Sequence, residues 1–160
     1  MKKNIISARD LKKILNKKDL TVLDSRWFLK EPLRGGKEFK KSHIPNAIFF
    51  DIEKNSDQNN KLPHMIPKKS FFEKYVNENG ISKKKLIVIY DQVGFFCSAR
   101  VWFIFKYFGF ENIKILEQGY EGWLKHNYLT TKLVVKKKKT KCTINEKKNL
   151  IIKKKNIVKG

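Results

Sequence analysis

The stretch "IVIYDQVGFFCSARVWFIFKYFG", Ile87 to Gly109, decides the fold. Its opening is apolar and β-branched and reads as a buried strand; "DQVGFFC" is a short loop with one glycine; "SARVWFIFKYF" reads as a helix over Ser98–Phe108, stopped by Gly109. That helix is apolar nearly all round, which places it against a sheet and under other elements. A strand feeding a tight loop and a helix N-terminus is an anion cradle, because the loop N–H groups converge and the helix dipole favours negative charge. A thiol set there would ionise. Here the strand delivers Asp91. A carboxylate is not a soft nucleophile, and in the cradle it would repel an anionic substrate. Asp91 is therefore read as a hydrogen-bonding cap of its own loop ahead of a catalytic acid.

Outward from this stretch, strand and helix patterns alternate. Upstream, "KSFFEKYVNEN" puts Phe72, Tyr75 and Val76 on one helical face before the stop at Gly80, and "LTVLD" and "AIFFDI" read as strands, the first ending at Asp24. Ser7 and Asp10 have the capping-box form before "LKKIL". Downstream, "NIKIL" gives a strand and "YEGWLKH" a short helix. Alternation with short connections predicts one α/β domain, a central parallel sheet of about five strands flanked by helices. "KEPLRGGKEFKKSHIPNA", with Pro32, Gly35 and Gly36, and "EKNSDQNNKLPHMIP" read as exposed connections. From Lys132 the periodicity fails. Residues 132–160 carry two short apolar patches in a lysine-rich background and read as a linker or tail that packs little and ends at Gly160 without closing an element, leaving 1–131 as the domain.

The 160 residues, 41% of them apolar, suffice for one real core. The net charge of +22 raises nucleic acid as a partner, but the basic residues are nearly all lysine, with only Arg9, Arg26, Arg34 and Arg100 to supply forked contacts, so no nucleic-acid partner is expected. The charge would instead concentrate small anions. No apolar run has the length of a membrane span or forms a secretory leader, which predicts a cytoplasmic protein without a membrane partner. Cys97 and Cys142 show neither metal-ligand nor redox-pair spacing, so no disulfide, metal or cofactor is expected. Cys97 sits at the start of the Ser98–Phe108 helix, where a dipole would favour a thiolate, yet its apolar neighbours suit a small core residue. His43 and His64 stand in "HIP" and "PHM" and read as turn and packing residues.

Together "LDSRWF", "EFKKSHIPNAIFFDI", "LPHMIP", "VIYDQVGFFCSARVWFIFKYFGF" and "ILEQGYEGWLKHN" resemble the rhodanese-like sulfurtransferases, and in particular the N-terminal half of the two-domain thiosulfate and 3-mercaptopyruvate enzymes, from Ser7 to about Asn127. The resemblance implies the rhodanese-like fold. It also implies that the persulfide-forming cysteine belongs to a loop of the C-terminal domain, and that "YDQVGFFCSAR" is the related loop without it, with Asp91 at the cysteine position and Gly94 at the loop glycine. Phe95 and Phe96 then fall where the N-terminal half walls the substrate cleft. Asp24, Arg26 and Glu38 resemble the family's D-x-R…E pattern, read as a buried ion network, and Asn46 replaces the glycine of its "H-I-P-G-A" signature. The implied function is sulfane-sulfur transfer from a small anionic donor, thiosulfate or 3-mercaptopyruvate, with this chain silent unless a catalytic rhodanese domain joins it. The chain looks like one half of such an enzyme, whether truncated or split. Self-association, sulfur transfer through Cys97, and regulatory binding of an anion or a protein at the Gly94 loop stay open beside that reading.

Overall fold

The computed structural model describes residues 3–152, in which five strands form one parallel sheet. They are β1 (Ile5–Ile6), β2 (Leu20–Asp24), β3 (Ile48–Phe49), β4 (Leu86–Tyr90) and β5 (Ile113–Leu116), in the spatial order β1-β5-β4-β2-β3. Between and after them run α1 (Ala8–Ile14), α2 (Arg34–Lys41), α3 (Lys69–Glu78), α4 (Ser98–Tyr107) and α5 (Gly119–Lys125). The predicted α/β architecture is thus the observed one.

The central strand β4 shows how the core is divided. Successive side chains of a strand point to opposite faces. Accordingly Ile87 and Ile89 join Phe72, Val76, Val101, Ile104 and Phe105 in the layer of α3 and α4, while Val88 and Tyr90 join Leu11, Phe39 and Trp123 in the layer of α1, α2 and α5. Both faces being covered, β4 is apolar throughout instead of alternating. Its register against β2 runs from Leu20 beside Leu86 to Asp24 beside Tyr90, so the two strands end level with one another. The loops that leave those carboxyl ends meet in one place, the usual position of a site in an open α/β sheet.

Local signals account for the element ends. Ser7 caps α1, its Oγ accepting the Asp10 N–H at 3.1 Å. Gly80 ends α3 at φ +66° and Gly109 follows α4 at φ +87°, the left-handed region in which glycine meets no steric penalty. Asn46, in place of a glycine, adopts φ +67°.

Two elements correct the sequence reading. The stretch read as an exposed connection through Gly35 and Gly36 contains α2, and Gly35 is buried. A Cβ on Gly35 would lie 2.0 Å from the Arg26 carbonyl oxygen, so this glycine marks a close approach of helix to loop where a turn was inferred. The edge strand β1 has two residues, too few for periodicity, and is defined by pairing Ile5 with Ile115 and Ile6 with Leu116.

The segment after Thr131 is also corrected: it packs. Thr131 makes an isolated antiparallel bridge to His43, exchanging N–H···O bonds of 2.8 and 2.9 Å. Further along, the Thr140 N–H donates to Asn77 O, the Asn145 N–H to Phe108 O and the Lys147 N–H to Tyr107 O, and Ile144 is fully buried in the α3–α4 layer. The arm thus wraps across α3 and α4 and closes in a single 3-10 turn at Lys148–Leu150, which is why α4 is apolar on its outer side as well. Residues 153–160, including Gly160, lie outside the described residues. Among the described residues no helix is long and apolar enough to cross a membrane.

Candidate functional site

At the end of β4 the chain folds back on a fully buried carboxylate. Asp91 Oδ1 accepts the N–H groups of Val93 and Gly94; Oδ2 accepts those of Phe96 at 2.8 Å, Cys97 at 2.8 Å and Ser98 at 2.9 Å, together with the Ser98 hydroxyl at 2.8 Å. The cradle inferred from the strand–loop–helix pattern is present, and five of its N–H groups are spent on the chain's own carboxylate. Gly94, at φ +93°, allows the bend; a Cβ there would lie 2.3 Å from the Glu117 carbonyl oxygen. The N-terminus of α5 grips the same loop, with the Tyr120 N–H on Asp91 O and the Glu121 N–H on Gln92 O. Asp91 therefore holds the loop as a cap, engaging five of its N–H groups and the Ser98 hydroxyl.

Cys97 immediately precedes α4, where the helix dipole was expected to help a thiolate, but its surroundings act the other way. The side chain is buried and Sγ donates to Ser25 O at 3.1 Å. Burial, with the Asp91 charge second, pushes the thiol pKa up to about 12. Cys97 is thus a buried thiol packed in the α3–α4 layer.

Outside the cradle the loop turns apolar side chains to solvent. Val93, Phe95 and Phe96 are 48%, 46% and 53% exposed, and Phe95 holds φ +59°, a conformation costly for a bulky residue. Phe96 stacks on Trp27 with ring centroids 6.1 Å apart. Trp27 Nε1–H in turn donates to Glu53 at 2.7 Å, and Glu53 also meets His64 Nε2 at 2.9 Å. Burial alone would raise the Glu53 pKa; the bonds from His64 and Trp27 outweigh it and the carboxyl is held below its ordinary range. His64 does sit in a turn, at φ +55°, with its carbonyl taking two bonds from Arg100, but the packing role read for its ring is incomplete because the ring pairs with Glu53. His43 is a packing residue as expected, fully buried, stacked on Phe39 at 4.0 Å, with Nδ1 and Nε2 against the carbonyls of Phe39 and Leu133.

The ion network is narrower than the D-x-R…E pattern suggests. Asp24 and Arg26 form a buried pair, Nη2 to Oδ2 2.7 Å, extended by Tyr90, whose hydroxyl donates to Asp24 at 2.6 Å. The attraction of Asp24 outweighs the effect of burial on Arg26 and raises the guanidinium pKa. Glu38 is not a member: it lies on the outside of α2, near Lys41 at 3.2 Å and Arg34 at 4.0 Å. The third place belongs to Tyr90 because β2 and β4 put Asp24 and Tyr90 in register. Sequence reasoning missed Tyr90, Ser98 and the Glu53–His64 pair. Ser98, the first residue of α4 and seven residues beyond Asp91, was open to inspection as a partner; the ten residues of irregular chain between Glu53 and His64 carry no pattern.

Residues 7–126 match the model of the rhodanese-like domain. The chain is 36% identical over 125 residues to the thiosulfate/3-mercaptopyruvate sulfurtransferase 1, mitochondrial, of Arabidopsis thaliana, covering 78% of this chain and 33% of that protein. It is 36% identical over 123 residues to the 3-mercaptopyruvate sulfurtransferase of Mus musculus, covering 75% and 41%. The crystal structure of SseA from Escherichia coli, described as a 3-mercaptopyruvate sulfotransferase, superposes with a TM-score of 0.91 at 27% identity over 96% of this chain and 60% of the other. The chain spans about a third to two fifths of the length of the curated relatives it matches.

Proposed function

The chain belongs to the rhodanese-like domain family, with thiosulfate and 3-mercaptopyruvate sulfurtransferases as its relatives, and from that premise we propose that it is a chemically silent rhodanese domain that serves sulfur transfer as one wall of a cleft. The observation that carries this reading is Asp91: at the end of β4, where the cradle could activate a thiol, five backbone N–H groups and one hydroxyl are saturated by a carboxylate that carries no transferable sulfur. Val93, Phe95 and Phe96, backed by Trp27, form the wall, and the Glu53–His64 pair behind Trp27 fixes it. A catalytic rhodanese domain supplies the nucleophile. The donor is a small sulfur-bearing anion, drawn toward the domain by its positive charge.

Purified protein incubated with thiosulfate and cyanide is expected to form no thiocyanate above the uncatalysed rate, and the same holds with 3-mercaptopyruvate. Robust turnover lost in Cys97→Ser would overturn the reading and make Cys97 the nucleophile.

A further inference from the structure

His43 is fully buried, and it ties the root of the arm to the domain. Its backbone N–H donates to Thr131 O at 2.8 Å, and its carbonyl accepts the Thr131 N–H at 2.9 Å. The ring adds a third tie. Nδ1 lies 2.7 Å from Phe39 O, near the end of α2, and Nε2 lies 3.0 Å from Leu133 O on the arm. The imidazole lies flat on the Phe39 ring, centroids 4.0 Å and planes 14° apart, so turning either nitrogen away from its carbonyl means giving up the stack.

Both ring nitrogens therefore face acceptors. A neutral imidazole has one N–H, and its other nitrogen carries a lone pair; only the imidazolium has two donors. With a neutral ring, one of the two carbonyls confronts a lone pair at hydrogen-bond distance. The weaker contact is the one to the arm. Phe39 O is closer and belongs to the packed end of α2, whereas Leu133 is 71% exposed and its carbonyl can turn to water.

The charged and titratable groups around His43 are engaged elsewhere or exposed. On α2, Glu38 is held by Lys41 and Arg34, and Lys40 is exposed. After β2, Arg26 donates to Ser42 O at 2.7 Å while paired with Asp24. From β4, the Tyr90 hydroxyl takes the Ile44 N–H and donates to Asp24; from α5, the Tyr120 hydroxyl meets Ser42 Oγ. Past α5, His126 stacks on Tyr128, and on the arm Lys132 is exposed. Among the described residues none of these bonds or pairs with the ring, which leaves the two carbonyls to govern how its protons are used.

We infer that His43 is a proton-operated clasp on the arm: the imidazolium ties Phe39 O and Leu133 O at once, and loss of the Nε2 proton to water frees Leu133. The farther ties of the arm, to Asn77, Phe108 and Tyr107, are backbone bonds without a histidine, so the response belongs to the root around 131–135. The clasp does not depend on the chemistry of the Asp91 loop.

The test follows the His43 ring nitrogens and the Leu133 carbonyl carbon by NMR in the 1–160 chain, from about pH 8 to about pH 5, the span in which histidine changes charge. The ring is expected to pass from a neutral tautomer with its N–H on Nδ1 to the doubly protonated form, and the Leu133 carbonyl carbon to shift with the same midpoint. Protection of the Thr131 amide from exchange should rise about tenfold across that transition, the effect of one charge-assisted hydrogen bond gained. His43→Gln, which does not titrate, should lose the Leu133 shift; His126→Gln, which removes the histidine nearest the arm in sequence, should keep it. The parent chain decides even where His43→Gln does not fold. A ring that keeps one protonation state throughout, or a ring that titrates while the Leu133 carbonyl stays still, would overturn the inference. A Leu133 shift that survives in His43→Gln or vanishes in His126→Gln would do the same.

Discussion

Ser98 gives Asp91 both of its donors: its N–H reaches Asp91 Oδ2 at 2.9 Å and its hydroxyl reaches the same oxygen at 2.8 Å. The Ser98 Oγ meanwhile accepts the Phe95 N–H at 3.1 Å. A relay thus runs from Phe95, held at a positive φ, through the first residue of α4 to the carboxylate. The loop is organised around a buried carboxylate, which takes five of its N–H groups in the resting chain.

Removing that charge should cost stability and create a site. Asp91→Ala leaves five loop N–H groups without their acceptor, and at about 1–3 kcal/mol for each buried group left unsatisfied, less what entering water recovers, the loss should be about 3 kcal/mol. The vacated cradle faces an oxyanion with the same donors. Thermal unfolding in a sulfate series checks this: the midpoint of Asp91→Ala should rise more steeply with sulfate than that of the parent chain. Parallel slopes would mean that the loop keeps its shape without Asp91 or collapses entirely.

The two thiols should separate kinetically. With a pKa of about 12, roughly one Cys97 in ten thousand is ionised at pH 8, and the side chain is buried. Cys142 is partly exposed on the arm. Iodoacetamide at pH 8 should therefore modify Cys142 first and Cys97 only at the rate of unfolding, as mass spectrometry of digests would show. The Asp91 charge being the second cause of the Cys97 shift, Asp91→Ala should raise the Cys97 rate in the folded protein.

Much of this arrangement was legible before any coordinates, because it is written in local chemistry. The β4–loop–α4 unit follows from an apolar run, a glycine and an N-terminal helix signal, and Gly80 and Gly109 stop their helices by a conformation only weakly dependent on context. What was not legible depends on distant partners. Gly35 looks like a turn residue until the Arg26 carbonyl is seen 2.0 Å from its missing Cβ. Ile144 sits among lysines and is core only because α3 and α4 leave a place for it. Glu38 matched a pattern, yet register gave its place to Tyr90.

The arm should be released by acid. Glu111, before β5, is paired with Lys106 at 2.8 Å and with Lys147 of the arm. Hydrogen bonds from Lys106 and then Lys147 lower its pKa from 4.5 to about 2. A carboxylate with a depressed folded pKa stabilises the folded arrangement fully above its unfolded value and loses that contribution as pH falls toward the folded one, so the window is pH 4.5 down to about 2. Glu111 is exposed, and salt will reduce the effect. The amide resonances of Asn145 and Lys147, bonded to Phe108 and Tyr107, should move through that window and stay still in Glu111→Gln. By contrast Ile144→Ala should destabilise the domain at every pH, by about 2–5 kcal/mol for a buried isoleucine.

The exposed wall makes the last prediction. Val93, Phe95 and Phe96 lie together on one loop, each close to half exposed, and the described part of the arm passes over α3 and α4 instead of covering them. At about 25 cal/mol per Å², a few hundred Å² of such surface represents several kcal/mol available for association. The net charge of +22 opposes the approach of a second copy. Salt screens that repulsion without weakening apolar contact, so self-association should strengthen with salt, the reverse of a nucleic-acid complex. Sedimentation velocity across a salt series reads the sign directly. Phe96→Asp removes the most exposed apolar side chain of the three and its stacking on Trp27, which should abolish association at a stability cost of about 1 kcal/mol. A chain that stays monomeric at high salt, or a Phe96→Asp variant that still associates, would show that this face is not the one that recruits a partner.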